Sequence, residues 1–210
     1  MILDAFVAFL DAPALAIGAL RASTAELLGA LLGVAMVGFN MRVNPIGWPL
    51  AIASSALYLL VFWRSRLYGD ASLQIVFIVV AFWGWWQWLR GRQDDGAPLV
   101  VRHLGTHGRR AALLAMALLW PATGWFLARA TDTDVPWWDA FPTAGSLIGQ
   151  WLLGRKYIEN WPAWVAVNVV GVALFGYKGL WLTSGLYALF ALLALAGWRQ
   201  WARLAGKVSA

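Results

Sequence analysis

One block of this chain is written twice. Trp48-Pro49 returns 113 positions later as Trp161-Pro162, and Gly84-Trp85-Trp86-Gln87-Trp88 returns at the same offset as Gly197-Trp198-Arg199-Gln200-Trp201. Between these anchors Phe62 pairs with Phe175, Leu67 with Leu180, Leu73 with Leu186 and Phe77 with Phe190. An offset that survives two turns and two apolar runs marks a duplicated structural unit. Interfacial tryptophans alone account for the anchors, since many membrane helices carry them, but not for the interior residues in register. In membrane proteins duplicated halves commonly enclose a substrate site at their shared interface, so transport is the leading expectation.

The bilayer is the solvent for this chain. Hydrophobic residues make up 61% and charged residues 12%, against about 45–50% and 25% in soluble domains. Apolar runs reach the ~20 residues that cross a bilayer core. Seven spans are expected, at about 23–41, 46–63, 71–89, 111–128, 136–153, 160–177 and 179–198. The fifth is interrupted by Asp139, Pro142, Thr143, Ser146 and Gln150, a pattern suited to a helix lining protein or a cavity rather than lipid. Residues 1–11 place Asp4 and Asp11 on one side of an otherwise apolar segment. They read as an interfacial amphipathic helix, taken with its linker as residues 1–20; nothing there resembles a cleavable signal peptide.

The offset organises the spans. Extended backwards, it sets span one against span five, with Glu26 opposite Asp139, and leaves span four as connector. A first three-helix repeat then covers 21–90, a basic loop and linker span 91–130, a second repeat 131–201, and a cytoplasmic tail 202–210. One intervening span restores the starting side, so the repeats are expected to be parallel, giving an all-α integral membrane protein of 3+1+3 form. Counting Arg and Lys by loop gives eleven on the side holding Arg42, the 90–110 loop, Arg155, Lys156 and the C-terminal tail. Five lie on the other side, and this bias orients the N-terminus outward and the C-terminus inward.

Several function classes are excluded or disfavoured. Cysteine is absent, which removes disulfides, iron–sulfur clusters and thiolate zinc sites. The two histidines, His103 and His107, fall in a charged loop, so no intramembrane metal site and no cofactor is expected. No catalytic set or nucleotide-binding glycine loop appears. The net charge of +6 is spread over short loops rather than gathered on a face for nucleic acid.

The candidate site is built from the few polar residues inside spans. Trp161, Trp164 and Asn168 follow a three-then-four spacing and share one helix face. Indole plates beside an amide suit a flat ring with a polar edge; a Trp belt with an interhelical Asn bond uses the same residue types. The repeat favours the first reading, because the shifted face is Trp48, Ala51 and Ser55. Only one copy carries the large polar set, as an asymmetric ligand requires. Gln74, opposite Tyr187, then Tyr58, and Ser146 with Gln150 extend the lining. Gln87 and Gln200, inside the Trp clusters, read as structural. Glu26 and Asp139 are the acids that lean into the membrane, and no Asp–Arg relay accompanies them. Ion coupling usually needs such groups, so facilitated diffusion of an uncharged or weakly cationic aromatic solute is expected, cations being attracted to aromatic faces.

At these residues the chain resembles the PnuC family of bacterial vitamin transporters. The resemblance is carried by Trp48-Pro49-Leu50-Ala51-Ile52, Gly69-Asp70 followed by Gln74, Gly84-Trp85-Trp86-Gln87-Trp88 and Trp161-x-x-Trp164-x-x-x-Asn168, and runs from about residue 23 to 201. It implies a SWEET-like fold, a homotrimer in the bacterial inner membrane, and facilitated uptake of nicotinamide riboside trapped by a cytoplasmic kinase. It also implies that Trp161, Trp164, Asn168 and Gln74 hold substrate; we place the aromatic base near Trp164 and Asn168 and the ribose towards Gln74 and Tyr58. Thiamine or riboflavin carriage on the same scaffold is the alternative. A non-transporting membrane scaffold is the reading from another class.

Overall fold

Seven helices follow one another along the chain: α1 (Thr24–Met41), α2 (Gly47–Arg64), α3 (Tyr68–Arg90), α4 (Thr106–Ala130), α5 (Pro136–Gly154), α6 (Asn160–Tyr177) and α7 (Trp181–Val208). They come from a computed structural model, which describes residues 9–10, 12–17, 20–64, 68–93, 95–131, 133–179 and 181–208. All seven expected spans are present as helices. Three of them, Thr24–Met41, Ala71–Arg90 and Thr106–Ala130, combine length with mean hydropathies of 1.5, 1.4 and 1.7. Elsewhere Trp, Pro, Ser and Gln lower the apolar average, and tryptophan in particular belongs at membrane interfaces despite scoring as polar.

The duplication is visible in the backbone. α2 and α6 begin and end 113 positions apart, α1 and α5 end 113 apart, and α3 and α7 begin 113 apart. The α1–α2 and α5–α6 turns share their hydrogen bonds in the same register. Asn44 N–H donates to Phe39 O at 3.0 Å, as Tyr157 N–H does to Leu152 O at 2.9 Å. Trp48 N–H donates to Pro45 O at 3.1 Å, as Trp161 N–H does to Ile158 O at 3.0 Å.

Each turn also holds one left-handed residue, Val43 at φ 55 and the equivalent Lys156 at φ 57. A β-branched side chain is strained there. Val43→Gly is therefore expected to stabilise the protein by up to about 1 kcal/mol, the relieved strain exceeding glycine's extra unfolded-state entropy. Thermal unfolding in detergent measures this.

The N-terminal region adds a pair of strands. Pro13–Ile17 form strand β1, antiparallel to β2 (Leu20–Ser23), in the stretch read as the linker after an interfacial helix. Proline lacks the N–H that a continuing helix would use, and β2 supplies the backbone partners instead. Residues 1–8 and 11, which carry most of the amphipathic pattern, lie outside the described residues. Ser23 and Glu26 close a capping box on α1: Ser23 N–H donates to Glu26 Oε2 at 2.6 Å and Glu26 N–H to Ser23 Oγ at 3.2 Å. This arrangement satisfies two orphan donors of the helix end. The last helix also outruns the sequence reading, because α7 continues through Val208 into the segment read as a tail.

The chain divides into two compact units. The first contains α1 through Asn40, α2, and α3 through Phe82. Within it Tyr58 lies over Gly29, where an added Cβ would come within 3.0 Å of the ring, and Ser54 Oγ donates to Gly29 O at 2.8 Å. The second unit contains Met41–Val43 and the chain from Trp83 onward. There α5 packs against both α4 and α6, and α6 against α7. The boundary differs from the sequence reading, since the end of α3 groups with the later helices.

Candidate functional site

In the second unit α5 packs against both α4 and α6. Ala140, Ala144, Gly145, Ser146, Gly149, Gln150, Leu152, Leu153 and Gly154 are all buried on it, which agrees with a fifth span facing protein. Small residues let α6 approach closely. An added Cβ on Gly145 would meet Val167 Cγ2 at 2.6 Å, and one on Gly149 would meet Trp164 Cε2 at 3.2 Å. These two contacts run the helices antiparallel and set Asn168, one turn beyond Trp164, level with Ala144 and Gly145.

Three buried polar side chains lie on these two helices. Asn168 is 6% exposed, Ser146 7% and Gln150 8%, and none hydrogen-bonds to another described residue. Their polar atoms retain contact with solvent and so remain free to bond a ligand. The Trp164 indole, half-buried, supplies a flat apolar surface beside them. α6 carries no charged residue from Asn160 to Tyr177.

Trp161 does not join these residues. It is 3% exposed, meets Trp201 edge-on with ring centroids 5.5 Å apart, and sits where a Cβ on Gly197 would come within 2.5 Å of its ring. Trp88 packs 6.1 Å from Trp201 on the other side. Two indole hydrogen bonds pin this cluster, Trp88 Nε1 to Leu153 O at 3.0 Å and Trp201 Nε1 to Met41 O at 3.1 Å. Spacing alone put Trp161 and Trp164 on one face; the glycines of two different neighbouring helices separate them.

The other sequence candidates lie in the first unit. Trp48 is buried, Ser55 and Gln74 are half-buried, and Tyr58 stacks on Phe62 at 5.9 Å. Tyr187, the counterpart of Gln74, packs against Gly171 and Phe175 in the second unit. Gln87 accepts from Arg155 at 3.3 Å, in keeping with a structural role.

The acids have structural partners. Glu26 caps α1. Asp139 accepts from Lys178 Nζ at 3.2 Å and from the Thr133 hydroxyl. Sequence reasoning missed a strap formed by the 91–105 segment over the α5–α6 turn. Arg102 N–H donates to Lys156 O at 3.2 Å, Ile158 N–H to Arg102 O at 3.0 Å, and Arg102 stacks over Tyr157 at 5.0 Å. Glu159 accepts from Arg109 at 2.8 Å and from Leu104 N–H at 2.9 Å. Lys156 Nζ donates to Leu99 O at 3.0 Å, and burial pushes its ammonium below the ordinary lysine range. Partners 50 to 57 positions apart leave no local signal. Among the described residues no cluster of metal-ligating side chains occurs.

The chain is thus a seven-helix membrane protein with an internal repeat and a face of indole and amide on α6 that carries no charge. The family model described as nicotinamide mononucleotide transporter matches residues 23–203, and the chain belongs to that family of membrane vitamin transporters. It is 29% identical over 178 residues to the riboflavin/roseoflavin transporter RibM of Streptomyces davaonensis, covering 84% of this chain and 83% of that one. It is 24% identical over 200 residues to the nicotinamide riboside transporter PnuC of Escherichia coli, covering 84% of each. The crystal structure of the vitamin B3 transporter PnuC superposes with a TM-score of 0.69 at 20% identity, over 87% of this chain and 82% of that one.

Proposed function

We propose that this chain carries nicotinamide riboside across the bacterial inner membrane by facilitated diffusion, with a cytoplasmic kinase trapping the product. The observation that carries the reading is the set of Trp164, Asn168, Ser146 and Gln150 on α5 and α6, whose polar residues are largely buried and hydrogen-bond to no other described residue. An indole face attracts a cationic pyridinium, an amide complements its carboxamide, and a hydroxyl and second amide complement ribose. Both acids that lean into the membrane are held by structural contacts, which favours passage without a coupling ion. Ser55, Tyr58 and Gln74 are assigned to the pathway through the first unit. The matched helix limits support two three-helix repeats joined by α4; on this reading the N-terminus faces out, the C-terminus faces in and three copies assemble together.

Riboflavin is the second reading, favoured by the 29% identity to RibM against 24% to PnuC. Liposomes loaded with the appropriate kinase and ATP separate the two. Nicotinamide riboside is expected to accumulate as its phosphate, and excess unlabelled nicotinamide riboside is expected to compete better than riboflavin or thiamine. The reverse order of competition selects riboflavin. No accumulation of any of the three returns a non-transporting scaffold.

A further inference from the structure

Gly149 has no conformational reason to be glycine, since it lies mid-helix in α5 without a positive φ. In a helix interior glycine costs about 1 kcal/mol against alanine. Space explains it. A Cβ there would lie 3.2 Å from Trp164 Cε2, 3.3 Å from Nε1 and 3.5 Å from Cζ2. The nitrogen-side edge of the indole therefore rests directly on the α5 backbone.

The repeat shows that this contact is an exchanged pair. At the equivalent positions of the first copy stand Met36 on α1 and Ala51 on α2. One copy places the large side chain on its first helix and the small one on its second; the other copy reverses them. The same shift turns Gly33, Val37 and Ser55 into Ser146, Gln150 and Asn168. The reversal thus coincides with the arrival of the buried polar residues. Gln150 is the next residue after Gly149, and Ser146 lies one turn before it.

We propose that Gly149 is a specificity-determining residue: its missing side chain fixes how closely Trp164 lies against α5, and so the clearance left for a flat ring beside Ser146, Gln150 and Asn168. The proposal rests on the vitamin-carrier reading above. A methyl group at position 149 displaces the indole by a few tenths of an ångström, away from α5 and into the ring's space. One methylene of misfit in a tight pocket changes discrimination by about tenfold or more.

The test is a double-mutant cycle read by isothermal titration on purified full-length protein, using whichever of nicotinamide riboside and riboflavin the wild type binds more tightly. Gly149→Ala is expected to weaken that vitamin about tenfold, with the elution volume on size exclusion unchanged. Trp164→Phe lacks the nitrogen-side edge. In that background the Gly149→Ala penalty is expected to shrink to less than about threefold, the non-additivity that contacting residues show. Equal penalties in both backgrounds, or no penalty in the wild type, overturn the proposal while leaving the carrier reading in place. If the wild type binds neither vitamin, the carrier reading falls and takes the proposal with it.

Discussion

Asn168→Leu is expected to weaken vitamin binding by about tenfold to a hundredfold and, at the same time, to leave the fold as stable as before or slightly more so. The two halves of that expectation share one cause. The Asn168 amide is 6% exposed on α6 and makes no hydrogen bond to another described residue. In the unliganded protein its amide meets residual solvent rather than a protein partner, so an apolar residue of similar size costs the fold little. In the complex the same substitution leaves the polar edge of the vitamin buried and unpaired, at about 1–3 kcal/mol, which converts to the stated loss of affinity. Isothermal titration reads the first half and the thermal midpoint in detergent the second. An Asn that served only to bond neighbouring helices would give the opposite pair of results: a lower midpoint with affinity unchanged.

Much of this architecture was legible because duplication and hydropathy are properties of the chain itself. The offset read from Trp48-Pro49 and Trp161-Pro162 reappears in helix limits, in turn hydrogen bonds and in the paired left-handed residues Val43 and Lys156. The interrupted fifth span was legible for a similar reason. Asp139, Pro142, Ser146 and Gln150 cannot all face lipid, and α5 buries nine residues along its length.

What escaped depends on neighbours far away in sequence. Whether Trp161 and Trp164 serve one site is decided by Gly197 on α7 and Gly149 on α5, and no spacing within α6 reports on either. The strap over the α5–α6 turn rests on Arg102 meeting Tyr157 and Arg109 meeting Glu159, pairings that the repeat does not predict because the linker region has no second copy. The N-terminal strands were hidden by the apolar character of residues 13–17, which suits a helix as well as a ladder; Pro13 was the one local cue.

The division of labour between the two tryptophans yields the sharpest stability prediction. Trp161→Ala is expected to lower folding stability by about 3–5 kcal/mol, the range for emptying a buried aromatic site. For a chain of this size that corresponds to a fall of roughly 10 °C in the thermal midpoint. Its ring is locked between Trp201 and the Gly197 backbone. Trp201 in turn packs on Trp88, and both are pinned by indole hydrogen bonds to backbone carbonyls, so little can move to fill the space. The indole nitrogen of Trp161 has no hydrogen-bond partner among the described residues, so the loss is one of packing rather than of a polar contact. Gly197→Ala is expected to act in the same direction, because its methyl would meet a ring with nowhere to retreat. Trp164→Ala belongs to the other class. Half-buried and bounded by the α5 backbone at Gly149, it is expected to shift the midpoint less than Trp161→Ala while losing at least about tenfold in vitamin affinity, the indole face being the surface the ring stacks on. Measuring midpoint and affinity on both alanine variants separates the roles. If Trp161→Ala keeps its midpoint but loses affinity, both indoles grip the ligand, and the cluster with Trp88 and Trp201 is part of the site rather than its foundation.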